Sequence, residues 1–240
     1  MIDSLDNKKI KEIASLKIKK YRDQYGLFLV EGKHLVDEAK KSGLLEEVIL
    51  LDDEYDFDNK IIVSEKVMKK LSFQDSLPSI MGVCKIKDNK LIGSKYLLLD
   101  GIQDPGNLGT IIRSSLAFGV DTIVLSKDSV DLYNDKVIRS TQGMIFHINI
   151  IRCDLEDVIN KIKGDIKIIG TSLGDSTPLR SIDKLERYAL IVGNEGNGVK
   201  KEILDLCDDI VRIEMNKDVE SLNVGVATSI ILYEMSDNYE

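Results

Sequence analysis

Cysteine, histidine and long apolar runs are scarce in this sequence. Its three cysteines, Cys84, Cys153 and Cys207, lie far apart in 240 residues, with no C-x-x-C pair. They read as reduced cytosolic thiols, which excludes a disulfide framework and a cysteine zinc site. The two histidines, His34 and His147, exclude a His-rich metal centre, so no metal is expected. Apolar runs such as Tyr96–Leu99 and Tyr188–Val192 stop far short of the roughly 20 residues of a membrane span. The opening stretch MIDSLDNKKIKEIASLK has no apolar core, so no secretory leader is expected. Together these absences predict a cytoplasmic chain with no membrane partner. Cations are also in the minority, with 33 Lys and Arg against 41 Asp and Glu, a net charge of −8. That excludes a globally cationic surface but not a local basic patch.

What remains is an ordinary soluble composition, 43% hydrophobic and 31% charged, with enough length for one or two domains. The polar stretch KIKDNKLIGSK, residues 85–95, is the clearest seam, and it predicts domains over 1–92 and 93–240. The first segment opens with a helix capped by Asp6 or Asn7, whose apolar stripe is Ile10, Ile13 and Ala14. Strands follow at 27–32, 47–51, 61–64 and 79–86, with helices at 34–41 and 67–72. The pattern is a small α/β domain.

The second segment alternates more regularly. YLLLD (96–100) is a short continuous apolar run, the kind buried on both faces of a parallel sheet. Strands at 121–126, 166–171, 188–193 and 210–215, and one ending at 150, alternate with helices at 108–119, 155–163, 199–207 and 221–236. The expected fold is α/β, a mostly parallel sheet with helices on both faces.

Three loops carry chemistry. In DPGNLGTIIR, residues 104–113, a turn after a strand end leads into a helix bearing Asn107 and Arg113. Ligands of α/β sheets bind at such carboxyl ends; taken alone, the loop reads equally as a plain turn with an Asn cap and a surface arginine. In LIVGNEGNGV, residues 190–199, three glycines follow a buried strand, and glycine permits close backbone approach to a ligand. The spacing is G-x-x-G-x-G, so it is not the dinucleotide fingerprint, and no P-loop occurs anywhere. Glu195 at the tip argues against a phosphate cradle. In IEMNKDVESLNV, residues 213–224, Glu220, Ser221 and Asn223 crowd the start of a long apolar helix, where Ser221 is one candidate cap. Such helix starts beside a glycine loop suit a neutral, hydroxyl-bearing ligand.

These three loops, in this order, resemble the three motifs of the SpoU (TrmH-like) family of SPOUT RNA 2′-O-ribose methyltransferases. The resemblance rests on NLGTIIRSSLAFG, RSTQGMIFHI, LIVGNEGNGV and VESLNVGVATSIILYE and spans residues 96–236. The stretch LKIKKYRDQYGLFLVEGKHLVDEA resembles, less specifically, the substrate-binding domain of the ribosomal RNA enzymes of that family. The third motif departs from the family's usual I-P-M, reading Ile213-Glu214-Met215, and carries Gly225 where a serine is common.

The resemblance implies a small L30e-like RNA substrate-binding domain over 1–92. It also implies a SpoU catalytic domain over 93–240 with a C-terminal trefoil knot. It implies S-adenosylmethionine as cofactor, a homodimer, and methylation of a ribose 2′-hydroxyl, with 23S ribosomal RNA favoured. Carried over by position, Thr171, Leu173, Gly193, Ile213, Met215, Leu222 and Asn223 hold the cofactor. The catalytic set is Arg113, Asn107, Glu195, Ser221 and Asn223. A guanidinium is effectively never deprotonated, so Arg113 is expected to grip a phosphate and stabilise the forming alkoxide. Asn107 would orient Arg113 and the ribose, and Glu195 would orient Arg113 or a partner group. Ser221 and Asn223 would hold polar atoms of substrate or cofactor.

Binding RNA at −8 requires local cations. Lys17, Lys19, Lys20, Arg22 and Arg139 are the expected contacts, with Lys33, Lys40 and Lys41 extending the stripe and the acidic run Asp52–Asp58 facing away. Aromatics make up 5% of the chain, so base stacking is expected to be limited. The alternatives are a non-catalytic RNA-binding or ribosome-assembly factor on the same fold, or transfer RNA as the substrate. A nucleotide-dependent oxidoreductase is weakened by the missing fingerprint.

Overall fold

The computed structural model describes residues 1–236. The chain forms two compact units: Met1–Asp88 with Asp131–His147, and Asn89–Val130 with the chain from Ile148 on.

The first unit begins with α1 (Lys8–Ser15), capped by Asn7, whose Oδ1 accepts from the Lys9 and Ile10 N–H groups at 2.9 and 3.4 Å. A second helix, α2 (Lys19–Tyr25), stops at Gly26, which takes φ +64° where a side chain would be strained. Then come β1 (Leu27–Glu31), α3 (Lys33–Lys41), β2 (Leu45–Leu50), β3 (Lys60–Ile62), α4 (Glu65–Leu71) and β4 (Ile80–Lys85). The sheet order is β1-β4-β2-β3, with β4 antiparallel to both neighbours and β2 parallel to β3. Ile10 and Ile13 of α1 pack with Met68 and Leu71 of α4 onto Leu29, Ile49 and Met81 of the sheet.

The second unit opens with β5 (Lys95–Asp100), α5 (Pro105–Ala117) and β6 (Thr122–Leu125). The chain then contributes α6 (Asp135–Ser140) to the first unit. There the Phe28 ring packs against Tyr133 and Phe146, with centroids 4.6 and 6.0 Å away. Back in the second unit run β7 (Asn149–Arg152), α7 (Leu155–Ile162), β8 (Lys167–Thr171), β9 (Thr177–Pro178), β10 (Tyr188–Gly193), α8 (Lys201–Leu204), β11 (Asp209–Arg212) and α9 (Val224–Met235). The seven strands pair in parallel, in the order β7-β6-β5-β10-β8-β11-β9. The expected parallel sheet is present. Leu98, Ile168 and Ile191 face α7 and α8. Alternation turns Leu97, Leu190 and Val192 to the opposite face, the side on which α9 meets β10 and α5 packs against α9.

Several boundaries differ from the sequence reading. The helix expected over 199–207 keeps one turn, and the strand expected over 210–215 ends at Arg212. The last helix starts at Val224, so Asn223 is its cap and Ser221 lies in the loop before it. The loop Asp52–Asp58 does not face away from the α3 lysines. Instead, Tyr55 lies under Lys33 and Phe57 under Lys40, with ammonium-to-ring distances of 5.8 and 4.6 Å. Apolar ring faces attract cations and leave the flanking carboxylates in water.

Candidate functional site

Because all seven strands run the same way, the loops after β5, β8, β10 and β11 leave one edge of the sheet, and the chemistry gathers there. Order matters as well: β10 is inserted between β5 and β8, so the glycine loop after it lies between the other two. Gly193 ends β10, and a Cβ there would sit 2.0 Å from the Gly198 carbonyl carbon and 2.1 Å from the Val199 nitrogen. Only glycine allows this approach. The loop closes by paired backbone bonds between Asn194 and Gly198, at 3.0 and 2.9 Å. The Asn194 amide ties it to the β5 end, donating to the Gly101 carbonyl at 2.8 Å.

The loop tip presents Glu195 to the start of α5. Its carboxylate accepts from Asn107 Nδ2 at 3.0 Å, and from the Asp104 and Gln103 N–H groups at 3.3 and 3.4 Å. Burial acts to raise the Glu195 pKa, but these hydrogen bonds outweigh it and hold the carboxyl below the ordinary glutamate value. Asn107 in turn accepts at Oδ1 from Asn223 Nδ2 at 2.8 Å. Asn223 Oδ1 caps α9, accepting from Gly225 and Val226 N–H at 2.9 and 3.3 Å. One hydrogen-bonded chain, Glu195–Asn107–Asn223, therefore joins all three loops.

Beside this chain lies a cavity of about 490 Å³, within the range of small-molecule sites. Thr171, Leu173, Gly193, Ile213, Met215 and Leu222 line it, as do Glu220 and Ser221. Val192, Val211, Val224, Ala227 and Ile231 supply an apolar wall. The Thr171 hydroxyl donates to the Ile191 carbonyl at 2.9 Å, fixing the β8 end.

Residues 94–233 match the SpoU rRNA Methylase family, and residues 7–82 match the MRM3-like substrate binding domain. The chain belongs to the SpoU rRNA methylase family. It is 38% identical, over 98% of both chains, to the 23S rRNA (guanosine(2553)-2'-O)-methyltransferase RlmP of Bacillus subtilis. An AdoMet-bound rRNA methyltransferase from Sinorhizobium meliloti shares 30% identity. Its TM-score is 0.86, over 98% of this chain and 96% of that one. The SpoU methyltransferase AviRb from Streptomyces viridochromogenes, at 23% identity, shares the fold, with a TM-score of 0.84 over 95% and 97% of the two chains.

Within this SpoU chain the expected site residues separate. Asn107, Glu195 and Asn223 are hydrogen-bonded together, while Asn223 turns to Asn107 and away from the cavity wall formed by its neighbours Leu222 and Val224. Arg113 does not join them. It is exposed and makes no hydrogen bond or ion pair among the described residues, so neither Asn107 nor Glu195 orients it here. Six residues at about 100° each turn Arg113 some 120° away from Asn107 around α5. The neighbouring Ser114 bonds Ser229 of α9 at 2.6 Å, and Gly225 leaves room for Thr110, whose Cβ would lie 3.2 Å from an added Cβ.

The expected RNA contacts separate too. Arg22 is 5% exposed, donates to the Leu16 and Lys17 carbonyls at 2.8 and 2.9 Å, and pairs with Asp131. Its guanidinium is spent inside the first unit and leaves no face for RNA. Lys17 likewise turns inward, donating to the Lys70 and Ser72 carbonyls at the end of α4, and its burial lowers the ammonium pKa. Lys19 is exposed beside Asp23 at 2.5 Å, Lys20 lies 5.9 Å over the Tyr21 ring, and Arg139 pairs with Asp135 at 3.0 Å. The sequence reading missed Asn194 and Arg212. Asn194 sits between Gly193 and Gly196 of the glycine loop, and Arg212 is a cation ending a strand just before Ile213; both line the cavity.

Proposed function

We propose that this chain transfers a methyl group from S-adenosylmethionine to a ribose 2′-hydroxyl of RNA, with 23S ribosomal RNA as the favoured substrate. The observation that carries the reading is the Glu195–Asn107–Asn223 chain beside the cavity. The cavity fits the cofactor: glycine backbone on one side suits a polar ligand edge, and the valine and isoleucine wall suits a flat base. Thr171, Leu173, Gly193, Ile213, Met215 and Leu222 would hold it. When bound, S-adenosylmethionine supplies a methyl carbon activated by the adjacent sulfonium.

The remaining task is to present a ribose hydroxyl in line and to stabilise its developing charge. Alignment is worth several kcal/mol, and the three-loop chain provides a fixed edge for it, with Ser221 and Asn223 as polar contacts. Arg113 stays a cation, binds a neighbouring phosphate and stabilises the alkoxide, whose proton leaves to solvent. Glu195 acts through Asn107 as a positioning residue.

A homodimer is part of the proposal. Val226, Ile230 and Tyr233 of α9 are 46%, 36% and 66% exposed and lie on one helical face. An apolar stripe of this kind suits a second copy of the chain, which would also bring polar partners to Arg113 on the adjacent α5. The proposed domains are RNA-binding over 1–92, of L30e-like type, and catalytic over 93–240, with a trefoil knot at its C-terminal end. Insertion of β10 between β5 and β8 supports that threading. Free, widely spaced cysteines support a cytoplasmic setting.

The test is to incubate the protein with methyl-tritiated S-adenosylmethionine and separate pools of unmethylated ribosomal and transfer RNA, then digest and identify the labelled nucleoside. A 2′-O-methyl nucleoside from ribosomal RNA is expected. Cofactor binding without label in either pool would overturn the reaction in favour of an RNA-binding factor.

A further inference from the structure

Aromatic side chains are few, and among the described residues two tyrosines are the most exposed of them: Tyr233, in the apolar stripe of α9, and Tyr25, 45% exposed on α2. The Tyr25 ring stacks on Tyr21 one turn earlier, with centroids 6.2 Å apart and planes 15° from parallel. Ile18, 56% exposed, is the residue just before α2. A stacked pair of rings at the surface leaves aromatic area open to a planar ligand.

The segment that carries these rings is cationic in a chain of net negative charge, and the hollow beside the rings is lined by Lys8 and Lys11 together with Asp6 and Glu12. Residues 8–25 carry seven Lys and Arg against two acidic residues, in a protein of net charge −8; with Arg22 and Lys17 turned inward, Lys8, Lys9, Lys11, Lys19 and Lys20 are the cations left at the surface. Lys8 and Lys11 flank Tyr21 and Tyr25 around an open hollow of about 420 Å³. Lys8 meets Glu12 only at 4.0 Å, and Lys11 meets Asp6 at 2.8 Å, with the Lys8 and Asp6 side chains 93% and 89% exposed. Pairs this exposed are worth little, so both ammonium groups are available to a stronger anion. Lys20 already sits over the Tyr21 ring. Tyr25 and Glu12 also line a second hollow of about 280 Å³, with Ile13, Leu16 and Leu27 in its wall, so the Tyr25 ring borders two adjoining spaces.

We infer that Tyr21 and Tyr25 form a stacking site for an unpaired nucleobase of the substrate RNA, with Lys8, Lys11 and Lys20 meeting the flanking phosphates. A flat apolar platform with a cationic rim is complementary to a base and its backbone, since every base has a π-face and each linkage carries one negative charge. Glu12 at the rim offers acceptor oxygens to a base edge. The inference rests on the RNA methyltransferase reading and adds to it where the RNA is gripped: at a splayed, single-stranded position, by stacking, on the first unit. It also revises the expectation that so few aromatics leave stacking a minor part.

The test compares two labelled RNAs, a hairpin with an unpaired loop and a blunt duplex of equal length, by fluorescence anisotropy on the full chain. Wild type should prefer the hairpin. The double variant Y21A/Y25A should bind the hairpin about tenfold or more weakly, with duplex affinity unchanged. Y21F/Y25F should restore hairpin binding, because stacking needs the ring and not the hydroxyl. Circular dichroism checks that α2 remains folded. Equal losses on both RNAs, no loss on the hairpin, or failure of the phenylalanine pair to restore binding would each overturn the site. In methyl transfer, Y21A/Y25A should raise KM and leave kcat. If wild type methylates RNA and the variant keeps its KM, the stacking site falls and the reaction stands. If wild type transfers no methyl yet its hairpin preference depends on the two rings, the reaction falls and the site stands.

Discussion

Asn107 donates its amide to Glu195 at 3.0 Å, so the helix after the first strand of the second unit is fastened to the tip of the glycine loop. Asn107 also accepts from Asn223 at 2.8 Å, which makes this one side chain the common partner of three loops far apart in sequence.

Replacing Asn107 with alanine should therefore cost more than a single hydrogen bond. Glu195 would keep only backbone donors, and the fixed edge that aligns the ribose would loosen. A fall in kcat of about 10²-fold is expected, with cofactor affinity changed little, as read by single-turnover transfer and calorimetry.

Glu195 gives a pH signature. Its carboxyl is held below the ordinary glutamate value in the folded chain, so the unfolded state binds the proton more readily. The stability it contributes is complete above the ordinary value and is lost as pH falls through the lowered one. Urea midpoints of wild type and Glu195→Gln should differ near neutral pH and converge in acid; a constant gap across that range would refute the linkage.

Arg113 is exposed and unpaired among the described residues, and it does not line the cavity. Arg113→Ala should reduce turnover by about 10²- to 10³-fold while cofactor binding is retained. Arg113→Lys should recover only part of that, because an ammonium lacks the planar fork that spans phosphate and alkoxide.

Gly193→Ala places a Cβ 2.0 Å from the Gly198 backbone. Backbone cannot rotate aside as a side chain can, so the loop must open. Destabilisation of at least about 1–3 kcal/mol and loss of cofactor binding are expected, by thermal melting and isothermal titration.

Arg22 is buried and its partner Asp131 half-buried, with side chains 6% and 22% exposed. Arg22→Ala should cost about 1–3 kcal/mol in denaturant unfolding, since it leaves the Leu16 and Lys17 carbonyls without their donor and Asp131 without its cation. Lys20→Ala, at an exposed position, should leave stability nearly unchanged and weaken RNA binding in a salt-dependent way.

The comparison of Arg22 with Lys20 shows where sequence reading stops. Both are cations in one lysine-rich stretch, and composition assigns them the same partner. Their fates differ because two positions along a helix point about 160° apart, one at the Leu16 and Lys17 carbonyls and one at solvent. The segment 131–147 was equally opaque, since it sits between two strands of the second unit yet packs with the first. Only the contacts of Tyr133, Phe146 and Asp131 reveal that.

The sequence by itself determined the parallel sheet, through short apolar runs such as YLLLD that tolerate burial on both faces, and the identity of the three loops, through Asn107, Glu195 and Asn223. Tertiary structure alone decided that these three residues form one hydrogen-bonded chain and that Arg113 stands apart from it. The reason is physical. Burial and local backbone preference are written in neighbouring residues, whereas a hydrogen bond across 88 positions exists only after β10 has entered the sheet between β5 and β8.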